Sequence, residues 1–459
     1  MSKNRFEPYR RLFRGITNLL MLISLVWIFS YVWYEELNRF IRAFEQKGNW
    51  LLIFLYGVGM FVCLHMWGGF GIGKRKLVNL ISSQMLAVLT ANALGYLQIV
   101  LTAGTIHTMG HIANILIKVI WMQLVLAFVM PLIFTAIYKR LFPPLRMLQI
   151  YGDHENSLAD KIKVRKDKYC ICEEISIHEP MDKIVSRINL YDAVLLNDIP
   201  TANKNLIVKY CYDNSIRLYF TPKIPDIIVR GAENINFFDS PIYLARNKGL
   251  TVDQRFFKRL LDIVFSLFAL IITSPIFLVT AIAIKCDDGG KVFYKQERCT
   301  RGGRIFWIYK FRSMIEDAER DGAHPAAAGD ERITRVGKFI RATRIDELPQ
   351  FINILKGDMS VVGPRPERLE HYEKYSQEIP EFNFRLKVKG GLTGYAQVYG
   401  KYNTTALDKL KMDLIYIVDY SFLLDVQIML ETVKIIFKKE STEGFSEEQI
   451  RKLKNKDDI

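Results

Sequence analysis

Two adjacent carboxylates, Asp346 and Glu347, open a segment that could act on a phosphorylated substrate. The segment reads DELPQFINILKGDMSVVGPRP and ends at Pro366 in a Gly-Pro-Arg-Pro turn. The residues just before it are rich in positive charge: Arg332, Arg335, Lys338, Arg341 and Arg344. Carboxylates beside so many cations indicate a site for an anionic substrate with a divalent metal. The simpler alternative is an exposed helix start followed by a turn.

The local pattern suggests how Asp346 could react. Pro349 is tolerated in a first helical turn, which predicts that a helix begins near Asp346. The positive end of such a helix favours a carboxylate and an incoming phosphate. An aspartate with an ordinary pKa of about 4 is deprotonated at neutral pH, so it could be a nucleophile without a general base. Arg341 and a Mg²⁺ ion held by Glu347 could offset its repulsion from phosphate.

Three neighbouring patterns could complete such a site. Arg365 lies between two prolines, a rigid presentation suited to gripping a ligand, although a plain surface turn is an equal alternative. The segment KGGLTGYAQ predicts a tight turn at which Gly390, Gly391 and Gly394 let the backbone approach a ligand. Residues 291–314 predict a β-hairpin with its turn at 300–303.

In that hairpin, Lys310 and Arg312 should share one strand face. The stretch from Ile315 to Glu331, rich in Ala, Gly and charge, is typical of a mobile loop. Ser421 to Lys439 has amphipathic spacing, which suits either the membrane interface or the core.

The first third of the chain is apolar enough to span a membrane. Each of four stretches is about 20 residues long or longer: Gly15–Tyr34, Trp50–Phe70, Leu77–Leu101 and Asn114–Tyr138. The first has no cleavage site and is followed by further spans, so a removable signal peptide is not expected. Basic residues before the first span predict a cytoplasmic N-terminus. Four spans then return the chain to the cytoplasm at Lys139, although the basic first loop is discordant.

A fifth apolar run, Leu260 to Ile284, sets the topology of everything after it. Basic residues flank it on both sides, which disfavours a simple crossing. Ser274 and Pro275 lie near its middle, where proline removes a helical hydrogen bond. We therefore predict a re-entrant helix-break-helix that leaves Asp346 on the cytoplasmic side. The alternative, a true fifth span, would place Asp346 outside the cell.

Between the apolar regions, strand and helix patterns alternate. Residues 146–152, 169–175, 193–197 and 216–221 predict strands, separated by amphipathic segments at 158–166, 181–188 and 203–214. This alternation favours a Rossmann-like parallel sheet. The first strand-to-helix turn, YGDHENS, has one glycine, so the fingerprint of a dinucleotide site is missing. A structural, regulatory or oligomeric role is favoured over control by a bound nucleotide.

Composition limits the remaining choices. The chain has 459 residues and a net charge of +15, but its basic residues carry no nucleic-acid signature, so no nucleic-acid partner is expected. The six cysteines lack paired zinc spacing and suit a reduced compartment; Cys170 and Cys172 are predicted to lie on one buried strand face. The predicted fold is membrane α plus α/β. Its parts are a four-helix transmembrane bundle (1–143), the Rossmann-like domain (144–250), a re-entrant-helix-anchored α/β catalytic domain (251–439) and a charged tail (440–459).

From about Phe257 to Lys438 the chain resembles the bacterial sugar transferases, the monotopic polyprenyl-phosphate phosphoglycosyl transferases. The matching stretches are KRLLDIVFSLFALIITSP, FYKQER, YKFRSM, RITRVGKFIRATRIDELPQFINILKGDMSVVGPRP, LTGYAQ and SFLLDVQIMLETVK. The four preceding spans and the Rossmann-like domain resemble the large members, which start capsule, exopolysaccharide or O-antigen repeat units. One departure is Gly390-Gly391, where the family usually has Pro-Gly.

The resemblance implies a two-step reaction with a covalent intermediate. Asp346 would attack the β-phosphorus of a UDP-sugar, release UMP and form a phosphosugar-aspartyl intermediate, from which undecaprenyl phosphate takes the sugar phosphate. Glu347 matches the glutamate associated with Mg²⁺. The other matches are substrate-binding positions: Lys310 and Arg341 near the phosphates, Arg365 at the nucleotide end, and, less distinctly, Gln397 and Asp413. The resemblance further implies a multi-pass protein of the bacterial inner membrane, in contact with membrane lipids, and a homodimer.

Two other functions compete with this one. A polytopic phosphoglycosyl transferase would carry its carboxylates on loops between many spans, which four spans and one broken segment do not suit. A non-catalytic scaffold or regulator of polysaccharide assembly is the alternative from a different class. The presence of Asp346, Glu347 and Arg341 argues against a decayed site. Neither the transferred sugar nor the polymer can be read from the sequence.

Overall fold

The computed structural model describes residues 6–45, 47–104, 108–152, 158–163, 165–245, 249–315, 318, 330–400 and 404–436. The chain divides into two compact units, Met1–Pro222 and Lys223–Ile459. The first contains the amino-terminal apolar helices and a parallel sheet. The second contains the fifth apolar helix and every candidate site residue.

The first unit begins with helices α1 (Arg10–Val32), α2 (Asn38–Ile41), α3 (Lys47–Trp67), α4 (Leu77–Ala103) and α5 (Met109–Leu141). Each predicted apolar stretch of the first third lies mainly within one of these helices or its direct continuation. With the fifth apolar helix, the described residues contain five helices long and apolar enough to cross a membrane. A helix satisfies its own backbone hydrogen bonds, so it is the form that such a stretch must take in lipid.

A buried polar cluster joins α1, α3, α4 and α5. The ring of Phe29 stacks on that of Tyr56, with 3.6 Å between centroids. The Tyr56 hydroxyl lies 3.2 Å from Asn92 Oδ1 and 3.2 Å from Gln123 Oε1. Gln123 in turn donates to the Leu25 carbonyl at 2.8 Å. Such bonds have few alternative partners away from water, so they fix how the helices face one another.

A four-stranded parallel sheet follows. Its elements are β1 (Leu145–Tyr151), α6 (Leu158–Lys163), β2 (Tyr169–Ser176), α7 (Met181–Ile188), β3 (Ala193–Asn197), α8 (Thr201–Asp213) and β4 (Arg217–Phe220). The strand order is β2-β1-β3-β4 and every pairing is parallel. The predicted parallel α/β sheet is therefore confirmed. At the first turn, a side chain on Gly152 would collide with the backbone of Asp198, so this glycine serves chain packing; the rest of the turn lies outside the described residues.

The prediction for two cysteines of β2 is wrong. Cys170 and Cys172 do share one face of the strand, but both are exposed instead of buried. The reason is that the opposite face of β2 is the covered one, where Tyr169 and Ile171 pack in one cluster with Leu158 and Ile162 of α6. A two-residue alternation is the same for a covered and an uncovered face, so the pattern alone could not distinguish them.

The second unit contains α9 (Ile224–Arg230), β5 (Glu233–Phe237), β6 (Ser240–Leu244), α10 (Val252–Asp288), β7 (Phe293–Cys299), β8 (Ile305–Phe311), α11 (Arg335–Ala342), α12 (Gln350–Lys356), β9 (Ser360–Val362), α13 (Leu369–Glu378), β10 (Gly391–Thr393), α14 (Tyr395–Tyr399), α15 (Ala406–Val418) and α16 (Phe422–Ile436). Strands β7 and β8 form the predicted antiparallel hairpin. The predicted charged tail and most of the predicted loop at 315–331 lie outside the described residues.

The segment between residues 223 and 250 differs from its predicted assignment to the middle domain. Ile224 and Ile227 of α9 are buried in one cluster with Phe382, Leu410 and Leu414. This packing groups α9 with the second unit. The predicted boundary at residue 250 followed the end of the strand-helix alternation, which does not indicate against which core the last helix packs.

Helix α10 is 37 residues long and continues through Pro275, so the predicted interruption at Ser274 and Pro275 is absent from its secondary structure. Pro275 cannot donate to the carbonyl of Ile271, but the Ser274 hydroxyl donates to that carbonyl at 2.8 Å. This substitute bond is a physical reason why the helix tolerates the proline. Most large apolar side chains along α10 are exposed, among them Phe268, Ile271, Leu278 and Val279.

Polar side chains fasten the N-terminal half of α10 to the core of the second unit. Lys258 Nζ lies 2.7 Å from Asp425 Oδ2 and 2.9 Å from the Tyr416 hydroxyl. Asp262 Oδ1 accepts from the Ser360 hydroxyl at 2.9 Å and from the Val361 amide at 2.8 Å. All of these contacts are buried, so water cannot replace a lost partner.

Arg259 adds a third attachment one residue further along. Its guanidinium donates to the carbonyls of Ile354 and Leu355 at 2.5 and 2.7 Å. These carbonyls belong to the last turn of α12, where helix carbonyls lack partners within the helix. Helix α10 therefore holds both α12 and β9, the elements that flank the candidate site in sequence.

We predict that Lys258→Ala destabilises the protein by about 3–5 kcal/mol, because it leaves the buried Asp425 charge without its partner. The measurement is thermal unfolding of the detergent-solubilised protein. Lys285→Ala is the matched control, since Lys285 lies on the same helix, is exposed and makes one bond to the Gly289 carbonyl. It should change stability by no more than about 0.5 kcal/mol. Equal melting temperatures for the two variants would contradict the prediction.

Candidate active site

Asp346 and Glu347 lie in a short 3₁₀ turn, Ile345–Glu347, between α11 and α12. The Thr334 hydroxyl caps the start of α11 by accepting from the Gly337 amide at 2.9 Å. Arg344 adopts a left-handed backbone conformation with φ of 61°, which turns the chain before the carboxylates. The predicted helix start is approximately right: α12 itself begins at Gln350, directly after Pro349.

The hairpin brings Lys310 to these carboxylates. The Asn353 side chain of α12 accepts from the Tyr309 amide at 2.9 Å and donates to the Trp307 carbonyl at 2.7 Å. These bonds fix strand β8 beside α12. Lys310 Nζ consequently lies 3.4 Å from Glu347 Oε1. Arg312 does not join Lys310, because it follows the end of β8 and pairs with Asp288 at the end of α10.

Arg365, which follows Glu347 in the sequence, contacts the same carboxylate oxygen as Lys310, which precedes it. Its Nη2 lies 2.8 Å from Glu347 Oε1, so one carboxylate oxygen is shared by two cations. The Glu347 side chain is 14% exposed. Burial alone would raise the pKa of Glu347, but the charges of Arg365 and Lys310 outweigh burial and hold that pKa well below its usual range. Glu347 is therefore ionised at neutral pH.

Asp346 has a different electrostatic environment from Glu347. Burial raises its pKa, and the adjacent Glu347 charge adds to the rise, while Lys310, Arg341 and Arg344 oppose it. Arg341, at the end of α11, thus acts on Asp346 through its charge. An anionic substrate bound here would meet four cations around two carboxylates, of which Glu347 is already neutralised by close contacts.

Two arginines, Arg385 buried and Arg298 partly buried, hold the Gly-Pro-Arg-Pro turn through its backbone. Arg385 donates to the Arg365 carbonyl at 2.9 Å, and Arg298 donates to the next carbonyl, that of Pro366, at 3.3 Å. Burial lowers the pKa of Arg298 to about 10, with Arg365 and Arg368 adding to the shift. Holding two consecutive carbonyls fixes the direction in which the Arg365 side chain leaves the turn.

Asp413 belongs to the support of Arg385 and not to the carboxylate pair. Its Oδ2 lies 2.8 Å from Arg385 Nη2, and both side chains are almost completely buried. Glu367 lies 3.5 Å from Arg385 Nη1 on the other side. The sequence analysis missed Arg385, Glu367 and Arg298. Glu367 directly follows the GPRP turn and Arg298 ends the matching stretch FYKQER, which were usable signals, whereas nothing local marks Arg385.

Gln397 lies in α14, apart from the carboxylate pair. Its Nε2 donates to the carbonyl of Leu392 in β10 at 3.2 Å. The three glycines in and beside β10 serve close packing of the backbone: a side chain on Gly391 or Gly394 would collide with Gly363, and one on Gly390 with Pro366. The close approach predicted for a ligand is thus made by the GPRP turn itself.

The residues present fit a Mg²⁺ ion that is bound jointly with a substrate. The described residues contain no cluster of three or more His, Cys, Asp or Glu side chains suited to a metal. Mg²⁺ is usually held by one or two carboxylates together with substrate phosphates and water. Glu347 is ionised and its Oε2 is free of the contacts that Oε1 makes with Lys310 and Arg365, so the Asp346–Glu347 pair satisfies that requirement.

We predict that Asp413 makes the free energy of unfolding depend on pH. Burial raises its pKa to about 6, above the unfolded value of about 3.9. The folded state therefore favours the protonated carboxyl: the stability is present below pH 4 and is lost as pH rises through 6, about 3 kcal/mol in total by linkage. Measured as melting temperature, wild type should lose stability relative to Asp413→Asn between about pH 4 and pH 7.

Glu378→Gln, which removes an exposed carboxylate at the end of α13, is the control for Asp413→Asn. Its melting temperature should run parallel to that of wild type across the same pH range. If Asp413→Asn also runs parallel to wild type, the assigned pKa shift is wrong.

The region that contains this site is similar to known proteins. A family model described as bacterial sugar transferase matches residues 253–439, a range that contains all the site residues discussed above. A UDP-N-acetylgalactosamine-undecaprenyl-phosphate N-acetylgalactosaminephosphotransferase of Aeromonas hydrophila is 46% identical over 184 residues, 39% of this chain and 44% of the relative. A UDP-glucose:undecaprenyl-phosphate glucose-1-phosphate transferase of Klebsiella pneumoniae is 38% identical over 273 residues, 56% of each chain.

The matched region thus spans about half of the length of these two relatives. A shorter relative is covered more completely. The UDP-glucose:undecaprenyl-phosphate glucose-1-phosphate transferase of Caulobacter vibrioides is 41% identical over 191 residues, which is 40% of this chain and 70% of the relative. The residues that the family model matches include the carboxylate pair, the hairpin and the GPRP turn. This chain belongs to the bacterial sugar transferase family.

Proposed function

We propose that this protein transfers a sugar 1-phosphate from a UDP-sugar to undecaprenyl phosphate and thereby starts a surface polysaccharide repeat unit. One observation supports this above others: Glu347 Oε1 is shared by Lys310 and Arg365 at 3.4 and 2.8 Å, directly beside Asp346. The arrangement leaves Asp346 as the carboxylate without a close ion pair of this kind. The names of the relatives supply the two substrate classes.

In the first step, an Asp346 carboxylate oxygen attacks the β-phosphorus of the UDP-sugar. The new aspartyl oxygen–phosphorus bond forms while the bond from that phosphorus to the bridging diphosphate oxygen breaks. UMP leaves with the bonding electrons and the sugar phosphate stays on Asp346. In the second step, an oxygen of undecaprenyl phosphate attacks the same phosphorus, and the Asp346 carboxylate leaves. The product is undecaprenyl diphosphate sugar, and no other reactant is consumed.

The surrounding cations have distinct roles in this scheme. Lys310 and Arg341 offset the electrostatic repulsion between the Asp346 carboxylate and the diphosphate of the substrate. Arg365, held rigidly by Arg385 and Arg298, binds the nucleotide end. Asp413 acts through Arg385, and Gln397 stabilises the neighbouring turn. Mg²⁺, held by Glu347 and the substrate phosphates, supplies additional charge neutralisation when bound.

The apolar helices support a placement of this protein in a membrane. We place α1, α3, α4 and α5 as a four-helix transmembrane bundle in the bacterial inner membrane, with the N-terminus and the site on the cytoplasmic face. Helix α10 enters the membrane from the cytoplasmic side and returns to that side, with a bend at Pro275. Its exposed apolar side chains are suited to lipid, and its polar attachments keep the site at the surface, where a soluble nucleotide meets a lipid phosphate. The protein acts as a homodimer.

We predict that Asp346→Asn reduces UMP release by at least about 10³-fold, because an amide cannot replace the attacking carboxylate. The assay uses the membrane-reconstituted protein with Mg²⁺, undecaprenyl phosphate and UDP-glucose, UDP-galactose or UDP-N-acetylgalactosamine. Asp358→Asn is the matched control, since Asp358 forms a partly exposed pair with Arg304. Full UMP release by Asp346→Asn would refute the role of Asp346. No release from wild type with any donor would favour the scaffold function.

We also predict that chelation of divalent metal abolishes UMP release and that added Mg²⁺ restores it. Glu347→Gln should need roughly tenfold more Mg²⁺ for half-maximal release, because it removes one charged ligand. Asp358→Asn again serves as the control and should titrate as wild type does. Activity that persists in excess chelator would show that no Mg²⁺ is needed.

A further inference from the structure

The edge strand β2 carries two exposed thiols that no part of the proposed transfer reaction uses. Cys170 and Cys172 are separated by one residue, and their Sγ atoms lie 3.8 Å apart. Both side chains are exposed, whereas Cys63, Cys211 and Cys299 are buried. Free cysteines are among the most frequently buried residues, so a pair of exposed, neighbouring thiols is an unusual use of this residue.

The strand is locally irregular at this pair. Arg146 is opposite Cys170 and Met147 is opposite Ile171, but the register then shifts so that Leu148 is opposite Glu173. Cys172 is therefore the extra residue of a β-bulge. A bulge bends its strand and leaves the extra residue outside the regular pairing, which allows the two side chains of this face to approach each other.

This geometry is within reach of a disulfide. Residues i and i+2 of a regular strand have Cα atoms about 6.6 Å apart, close to the upper limit of about 6.8 Å for a disulfide. The bend at the bulge shortens the distance between the two Cα atoms, and the two Sγ atoms are already in contact. The strand is at the edge of the sheet, so no neighbouring strand covers the thiols from that side.

We propose that Cys170 and Cys172 form a redox-modification site that takes a small-molecule disulfide as its substrate. One thiolate attacks a sulfur of that disulfide, forms a mixed disulfide and releases the first small thiol. The second thiolate then attacks the protein sulfur of the mixed disulfide and expels the second small thiol. The protein pair is oxidised by two electrons to the Cys170–Cys172 disulfide, and the small disulfide is reduced to two thiols.

The second step distinguishes the pair from a lone thiol. Because the resolving thiol is held beside the mixed disulfide, its effective concentration far exceeds that of a free thiol in solution. The adduct on the pair should therefore be short-lived. Cys286, which is exposed at the end of α10 far along the sequence from the pair, provides an internal comparison in the same molecule.

The test treats the full-length protein in detergent with oxidised glutathione, followed by acid quenching and mass analysis of proteolytic peptides. The wild-type peptide that contains both cysteines should lose the mass of two hydrogen atoms, while Cys286 accumulates a glutathione adduct. In Cys170→Ser, the adduct on Cys172 should be at least about tenfold more abundant than in wild type. Reduction with excess glutathione should restore both thiols.

Three results would overturn the proposal. Separate glutathione adducts on Cys170 and Cys172 in the wild type would show that the two thiols do not resolve each other. A disulfide between two chains through either residue would show that the partner is another molecule. Complete resistance of the pair, while Cys286 reacts, would show that the thiols are not accessible. Cys172→Ser is the reciprocal variant and should trap the adduct on Cys170.

Discussion

The attachment of an apolar helix to a polar core is the constraint on which the second unit depends. Helix α10 exposes most of its large apolar side chains, yet Lys258, Arg259 and Asp262 make buried or partly buried contacts with α12, β9 and α16. A charged side chain in such surroundings is tolerable only when it is paired. The same contacts therefore join a helix suited to lipid with α12, which follows the carboxylate pair, and with β9, which precedes the GPRP turn.

The candidate site depends on an unequal division of charge between two adjacent carboxylates. Glu347 shares one oxygen between Lys310 and Arg365, and its pKa is held low by those charges. Asp346 keeps a raised pKa because burial dominates there. Neighbouring carboxyl groups with pKa values shifted in opposite directions are typical of sites in which the two groups do different chemistry. The proposed roles, nucleophile for Asp346 and Mg²⁺ ligand for Glu347, give the two groups different chemistry.

Behind these groups, a largely buried set of charged side chains keeps the GPRP turn rigid. Arg385 and Arg298 bind consecutive carbonyls of the turn, and Asp413 and Glu367 compensate the Arg385 charge. These backbone contacts already orient the Arg365 side chain. The site therefore loses little conformational freedom when a ligand binds. The close packing of Gly391 and Gly394 against Gly363 adds to this rigidity.

The sequence by itself determined the features that depend on local periodicity and composition. It predicted the long apolar helices, the parallel order of the middle sheet, the β7–β8 hairpin and the reactive segment at Asp346. Tertiary structure decided which side chains meet: Lys310 and Glu347 are 37 positions apart in the chain, and no pattern predicted the role of Arg385. It also decided that Cys170 is exposed and that α10 continues through Pro275. Periodicity reports which face a residue occupies, whereas only packing determines what covers that face.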